Sequence, residues 1–123
     1  MVAYNFCSDF AGLVATGSKR QTIRANRKRH ARPGEPVQLY AGMRTRNCRK
    51  LRIPDPVCQS VARIDLRCEG GGLYIYIDGY LMGVSDADII AMADGFDDAP
   101  HMFSWFDDRH GLPFQGVLIR WKI

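Results

Sequence analysis

Residues 17–24 read Gly17-Ser18-Lys19-Arg20-Gln21-Thr22-Ile23-Arg24, which brings an amine, a hydroxyl and a guanidinium into one octapeptide. If residues 20–24 form a strand, side chains alternate between its faces, so Thr22 and Arg24 lie on the same side. Lys19 stands just before that strand. Two cationic donors beside a hydroxyl favour an anionic or carbonyl-bearing ligand, although a solvated basic turn would give the same pattern.

The residues before the octapeptide indicate a helix. In residues 7–16 and just before them, Phe6, Phe10, Leu13 and Val14 recur at helical spacing and predict a face turned to the core. Ser8 or Asp9 can cap the start of this helix, and a glycine at position 17 suits a left-handed end. Lys19 is therefore expected at a junction between a helix and a strand, where site residues are often held.

The middle of the chain alternates between apolar and polar residues and predicts strands. Residues 25–33 form a basic loop, and Pro54-Asp55-Pro56 is a break between strands. Glycine-rich and Asp-Gly turns separate the later segments, as in hairpins. The predicted strands are residues 36–43, 57–68, 73–77, 80–82 and 117–123.

Two further helices are predicted between the last two strands. Ser85 is expected to cap a helix over residues 86–93 that ends at Gly95. Asp97 or Asp98 is expected to open the next helix, which runs to residue 108. The order of elements predicts a mainly β (α+β) domain, a small barrel-like structure with about three short flanking helices.

Length and composition fit one domain spanning residues 1–123. The chain is 46% apolar, which is enough for a core. No apolar run approaches the roughly 18 to 20 residues that a membrane span requires. The first residues lack the charged and apolar regions of a signal peptide. We therefore expect a cytoplasmic protein that does not associate with membranes.

The four cysteines are widely spaced, at Cys7, Cys48, Cys58 and Cys68. Zinc sites with four cysteines usually contain close pairs, and a disulfide framework is unusual without secretion. Free and mostly buried thiols are the expectation. Cys48 and Cys58 with a distant histidine are the nearest approach to a metal set, and we expect neither a metal nor another cofactor.

Charge is strongly segregated along the chain. Residues 19–52 hold twelve Lys or Arg against one acid, whereas residues 78–108 hold eight Asp and no Lys or Arg. A basic region of this density attracts polyanions, of which phosphates are the most common. The alternative is that the acidic and basic regions neutralise each other locally. An excess of positive charge would still remain, which favours a phosphate-containing partner.

The ordered motifs resemble those of the ASCH domain family, in the PUA-like β-barrel superfamily. The resemblance rests on a helix followed by Gly-x-Lys-x-x-Thr-x-Arg at residues 17–24, then Pro33-Gly34-Glu35 before an apolar strand. Later, Asp94-Gly95-Phe96 is similar to the acidic-Gly-Phe element of the family. A helix with Trp105-Phe106 and a strand ending in Ile119-Arg120-Trp121 complete the pattern, which covers almost the whole chain.

The resemblance implies a small barrel with a cleft lined by Lys19, Thr22, Arg24 and Asp94, binding RNA or a modified nucleoside. It also implies two enzymatic alternatives, an amidohydrolase acting on N4-acylated cytidines and a ribonuclease. In the hydrolase type a Lys, a Thr and a Glu are the proposed working residues. By motif position the lysine corresponds to Lys19, the threonine to Thr22 and the glutamate to Asp94. The aspartate is one methylene shorter than glutamate, and a misplacement of about 1 Å can cost about a hundredfold in rate.

In the enzymatic hypothesis, Thr22 is the nucleophile and Lys19 is its base, provided that burial or neighbouring arginines lower the lysine pKa. Asp94 orients the amine, and Arg24 holds a developing oxyanion or a phosphate. In the structural alternative, Lys19 and Asp94 form an ion pair that closes the barrel, and the protein binds without catalysis. Cleavage of RNA would recruit His30 as a general base.

Aromatic and basic residues around residue 40 suggest contacts with nucleic acid. Tyr40 is flanked by the basic stretches and is the preferred candidate for base stacking, although tyrosines on strands are also ordinary core residues. Arg44, Arg46 and Arg49 are expected to contact backbone phosphates. A protein-interaction role for the acidic residues 86–108 is a third possibility.

Overall fold

The computed structural model describes residues 2–123, and within them eight strands and three helices form an α+β fold that is 39% strand. The order agrees with the sequence except for two strands that were not predicted. The elements are β1 (Val2–Phe6), α1 (Ser8–Thr16), β2 (Gln21–Ala25), β3 (Val37–Ala41), β4 (Arg49–Lys50), β5 (Val57–Glu69), β6 (Gly72–Ile77), β7 (Tyr80–Leu81), α2 (Val84–Ala93), α3 (Ala99–His110) and β8 (Phe114–Lys122).

The predicted helices form, but two of their caps differ from the prediction. The cap of α1 is Cys7 and that of α2 is Gly83, neither of which makes a side-chain capping hydrogen bond. The expected caps at Ser8 and Ser85 were wrong because each helix begins earlier. For α3 the prediction is confirmed, since the Asp98 side chain accepts a hydrogen bond from the His101 backbone N–H.

The strands of residues 2–123 form two sheets, and no closed barrel is detected among them. One sheet has the order β1-β3-β4, with β1 parallel to β3 and β4 antiparallel to it. The other has the order β2-β8-β5-β6-β7. The β5–β6 hairpin and the antiparallel return through β7 follow the predicted glycine turns.

The contacts divide the chain into two compact units. Unit one comprises Met1–Gln21, Arg27–Val61 and Ile119–Ile123, and unit two comprises Thr22–Asn26 and Ala62–Leu118. Unit one contains thirteen Lys or Arg and three acids, a net charge of +10. Unit two contains four Arg and ten acids, a net charge of −6. The charge segregation of the sequence is therefore also a division between structural units.

Each unit has its own buried apolar residues. In unit one, β1 and β3 alternate between buried and accessible side chains, as expected for strands with one face against a core. The Phe6 ring packs edge-on against Trp121, with centroids 6.1 Å apart. In unit two, Phe106 packs on Phe114 at 4.8 Å and on Phe96 at 6.4 Å. Aromatic pairs at such distances stabilise a core beyond the area that they bury.

The state of the cysteines was predicted only in part. In residues 2–123 all four thiols are free, but Cys7, Cys48 and Cys68 are exposed, and Cys58 alone is buried. The expectation of mostly buried thiols was therefore wrong. The exposed cysteines lie at a helix cap, in a hairpin loop and near the end of β5.

No helix within residues 2–123 combines the length and the apolar character needed to cross a membrane.

Candidate functional site

A hairpin of unit one carries most of the residues predicted to bind a nucleic acid. Strand β3 places Tyr40 directly opposite Lys50 of β4 and beside Asn5 of β1. Tyr40 is half-buried, so part of its side chain remains accessible. The Lys50 ammonium lies 2.8 Å from the Asp55 carboxylate, a hydrogen bond that raises the pKa of Lys50. The sheet therefore places Lys50, a lysine paired with Asp55, beside a partly accessible ring.

Local hydrogen bonds give the loop of this hairpin its shape. Gly42 has a φ of 66°, and a side chain there would lie 2.9 Å from the Asn47 carbonyl oxygen. The Thr45 hydroxyl donates to the Gly42 carbonyl at 2.6 Å and accepts from the Asn47 N–H at 3.1 Å. The Asn5 side chain accepts from the Met43 N–H at 3.0 Å, which attaches the loop to β1.

The three arginines predicted to contact phosphates all belong to this hairpin. Arg44 and Arg46 lie in the loop, and Arg49 begins β4, opposite Ala41. All three are exposed. The short strand β4 was not predicted, because its two exposed residues have no apolar pattern and gain their conformation only from pairing with β3. Tyr40 and the three arginines thus belong to one hairpin, which the sequence analysis did not predict.

Lys19 is buried in unit one, with 3% of its surface exposed. It follows α1, whose left-handed end at Gly17 turns the chain, and its backbone N–H donates to the Leu13 carbonyl at 3.0 Å. The Lys19 ammonium lies 5.1 Å from the ring centroid of Phe10 and 5.9 Å from that of Phe6. Aromatic faces attract a cation and offset part of the cost of its removal from water.

Thr22 and Arg24 meet in unit two, as their alternation in β2 predicted. The Arg24 Nε donates to the Thr22 hydroxyl oxygen at 2.9 Å. Thr22 is buried, with 3% of its surface exposed, while Arg24 is half-buried. Because the hydroxyl oxygen accepts from a guanidinium, its own hydrogen is available for donation to another group.

Asp94 is held at the end of α2 in unit two. Its backbone N–H is shared between the Ile90 and Ala91 carbonyls at 3.1 Å. Gly95 follows with a φ of 105°, and the Phe96 N–H closes the turn on Ala91 at 3.0 Å. The buried Phe96 ring anchors this turn, so the Asp-Gly-Phe order has a structural reason. Asp94 itself is buried, with 4% of its surface exposed.

Gln21 is a buried polar residue that the sequence did not single out. Its exposed fraction is 3%, and it lies between Lys19 and Thr22. Alternation along a strand places Gln21 and Thr22 on opposite faces, yet both are buried. Residues 21–23 are therefore buried on both faces of the strand, which no apolar pattern in the octapeptide predicts.

In the part of the chain from residue 2 to residue 123, no group of three or more His, Cys, Asp or Glu side chains is arranged to hold a metal ion.

No protein-family model, curated protein or solved structure matches this chain.

Proposed function

We propose that the protein binds RNA or a modified nucleoside through the basic surface of unit one. The observation that carries this proposal is the β3–β4 hairpin, in which half-buried Tyr40 lies opposite Lys50 and which also contains the exposed Arg44, Arg46 and Arg49. Phosphate contacts from arginine and stacking on an accessible ring are the two main sources of affinity for single-stranded nucleic acid. The net charge of +10 on unit one adds long-range attraction for such a ligand.

A salt titration with matched variants tests this proposal. The Arg46→Glu/Arg49→Glu double variant should abolish binding of a labelled oligouridylate, since it reverses two cations of the hairpin. The Arg63→Glu/Arg109→Glu variant has the same net charge but changes unit two, and it should bind like the unaltered protein. Fluorescence anisotropy over a range of salt concentrations gives the affinities. If the affinity of the unaltered protein did not change with salt concentration, the polyanion proposal would be refuted.

We also propose that the chain is an ASCH-type domain of the PUA-like superfamily. Support comes from the order of elements around the octapeptide, with α1 before it, β2 beginning inside it and β3 after Pro33-Gly34-Glu35. The turn at Asp94-Gly95-Phe96 follows a helix, as the family pattern requires. Under this proposal the domain would be a small barrel with a cleft lined by Lys19, Thr22, Arg24 and Asp94. An experimental structure with a bound cytidine derivative would test this architecture.

A second candidate function is hydrolysis of an N4-acylated cytidine. Its support is that Lys19, Thr22 and Asp94, the proposed trio, are among the few buried polar residues, where ionisable groups are costly and often functional. With Lys19 in its neutral amine form, Thr22 would transfer its proton to that amine and attack the acyl carbon, and the freed amine of cytidine would leave with the same proton. Water would then release the acyl group from the threonine.

Turnover measurements separate this candidate from binding alone. The Lys19→Ala variant should lose hydrolysis of N4-acetylcytidine by at least about a hundredfold, because the base is removed. Lys122→Ala, an exposed lysine of β8, is the control and should leave the rate unchanged. Chromatographic detection of cytidine gives the rate, and circular dichroism verifies the fold. Hydrolysis that survives the Lys19 substitution would contradict the assigned role.

A further inference from the structure

Helix α2 of unit two is apolar on two opposite sides. Its inner side carries the buried Ala87, Ile90 and Ala91. With 3.6 residues per turn, Ile89 and Met92 lie on the opposite side, and more than half of the surface of each is exposed. A helix that is apolar all round is typical of one that packs on two sides, so the outer side of α2 has the character of an interface.

Three further exposed apolar side chains come just before this helix face in the chain. Tyr80 and Leu81 form β7, an edge strand of the five-stranded sheet, and Val84 begins α2. More than half of the surface of each is exposed, with 87% for Val84. We define these three residues, together with Ile89 and Met92, as the β7–α2 patch. Single exposed apolar residues are ordinary, whereas a group of them on neighbouring elements marks a binding surface.

The charged residues beside the patch are acidic. Asp78, in the turn before β7, and Asp86, in the first turn of α2, are both exposed. Asp86 is three residues from Ile89, so the two are neighbours on the helix surface. Residues 78–108 contain no Lys or Arg. RNA, an anionic membrane or the same patch on a second copy would therefore be repelled, whereas a basic segment would be attracted.

We propose that the β7–α2 patch binds a basic amphipathic helix of a partner protein. Such a helix presents an apolar stripe bordered by Lys and Arg, which matches an apolar surface bordered by aspartates. The apolar stripe contacts the patch, and the cations of the partner pair with Asp78 and Asp86. This interaction is separate from the proposed RNA function, because the patch belongs to unit two and the β3–β4 hairpin belongs to unit one.

A labelled model peptide, with leucines on one helical face and lysines on the other, tests the apolar part of this proposal. Fluorescence anisotropy should show that the unaltered protein binds it. Val84→Ser/Met92→Ser should weaken binding by about tenfold or more, because two exposed apolar contacts are lost. Ile53→Ser/Ile123→Ser removes two exposed apolar side chains from unit one and is the matched control, which should bind like the unaltered protein.

A second pair of variants tests the acidic part. Asp86→Asn should weaken binding of the leucine–lysine peptide and make it less sensitive to salt, because one attractive charge is removed. Asp9→Asn is the matched control, since Asp9 is also an exposed acid in the first turn of a helix, but in unit one. This control should bind the peptide with unchanged affinity.

Several results would overturn the proposal. A leucine–glutamate peptide that binds as well as the leucine–lysine peptide would refute the preference for a basic partner, and unchanged binding by Val84→Ser/Met92→Ser would refute the location. Two other occupants are tested with the same double variant. If it abolished self-association seen by sedimentation velocity, the patch would bind a second copy, and if it abolished binding to phosphatidylglycerol vesicles, the patch would bind a membrane.

Binding of the labelled oligouridylate separates this proposal from the RNA function. Val84→Ser/Met92→Ser should bind the oligouridylate like the unaltered protein, because neither residue belongs to unit one. Loss of oligouridylate binding in this variant, with the fold intact by circular dichroism, would contradict the separation of the two surfaces. If the unaltered protein bound the peptide but no oligouridylate, the RNA function would fail and the docking surface would stand.

Discussion

Burial of polar side chains is the most informative property of individual residues in this protein. Lys19, Gln21, Thr22 and Asp94 each have less than a twentieth of their surface exposed. Burial of such groups is unfavourable unless they are hydrogen-bonded or paired, so a chain retains them where they have a structural or functional role. The Arg24 hydrogen bond to the Thr22 hydroxyl and the rings beside Lys19 are contacts of this kind.

Cysteine reactivity is a prediction that concerns single residues. Burial raises the pKa of the Cys58 thiol, and the thiolate is the reactive form, so Cys58 should react slowly with a thiol reagent at neutral pH. The exposed Cys7, Cys48 and Cys68 should react quickly. Titration with Ellman's reagent should therefore give three fast thiols in the folded protein and a fourth on unfolding. A fast fourth thiol under native conditions would contradict the burial of Cys58.

Among the elements, strand β8 is constrained by its close approach to β2. In unit two, a side-chain carbon added at Gly116 would lie 2.2 Å from the Arg24 carbonyl oxygen and 2.9 Å from the Phe114 ring. Such a distance is below van der Waals contact, so the two strands can be this close only with glycine at that position. The glycine thus positions the backbone of Arg24, the residue that donates to the Thr22 hydroxyl.

Substitution of Gly116 is the corresponding prediction. Gly116→Ala should lower the free energy of unfolding by about 2 kcal/mol or more, because the added methyl group forces the strands apart. Gly12→Ala is the matched control, since nothing lies within 4 Å of the added carbon. Gly12 is inside α1, where alanine should raise the unfolding free energy by up to about 1 kcal/mol. Urea denaturation measures both, and a neutral Gly116→Ala would contradict the close approach.

For the whole molecule, the distribution of charge matters more than its sum. The formal net charge is only +4, yet the two structural units carry +10 and −6. A polyanion responds to the local potential of a basic surface rather than to the total charge of the protein. The isoelectric point of the whole chain, about 9.0, therefore understates how basic unit one is.

Elution from immobilised heparin tests this separation of charge without any assumption about RNA. The two double variants, Arg46→Glu/Arg49→Glu and Arg63→Glu/Arg109→Glu, have equal net charge. If retention depended only on total charge, both would elute at the same salt concentration. We expect the first variant to elute at much lower salt and the second to elute like the unaltered protein. Equal shifts for the two variants would contradict a localised basic surface.

The elements with strong local signals were predicted from the sequence. Helix α3 has Asp98 as its cap with Pro100 after it, and the β5–β6 hairpin has glycines at its turn, so local conformational preferences were sufficient. Strand β1 was missed, although Val2, Tyr4 and Phe6 alternate, because Phe6 was assigned to the face of the following helix. Its pairing with β3 is parallel and distant in sequence, which no local pattern reveals.

The amino-acid order was enough to identify the amine, hydroxyl and guanidinium within residues 17–24 and the concentration of positive charge before residue 53. It also predicted that Thr22 and Arg24 lie on the same face of a strand, where they are hydrogen-bonded. Folding added the burial of Gln21, the hydrogen bonds that join the Tyr4 hydroxyl to the His30 ring and to the Ala31 N–H, and the limit that Gly116 sets on strand spacing. The physical reason is range. Periodicity and turn preferences act between neighbours along the chain, whereas burial and hydrogen-bond partners depend on residues that only folding brings together.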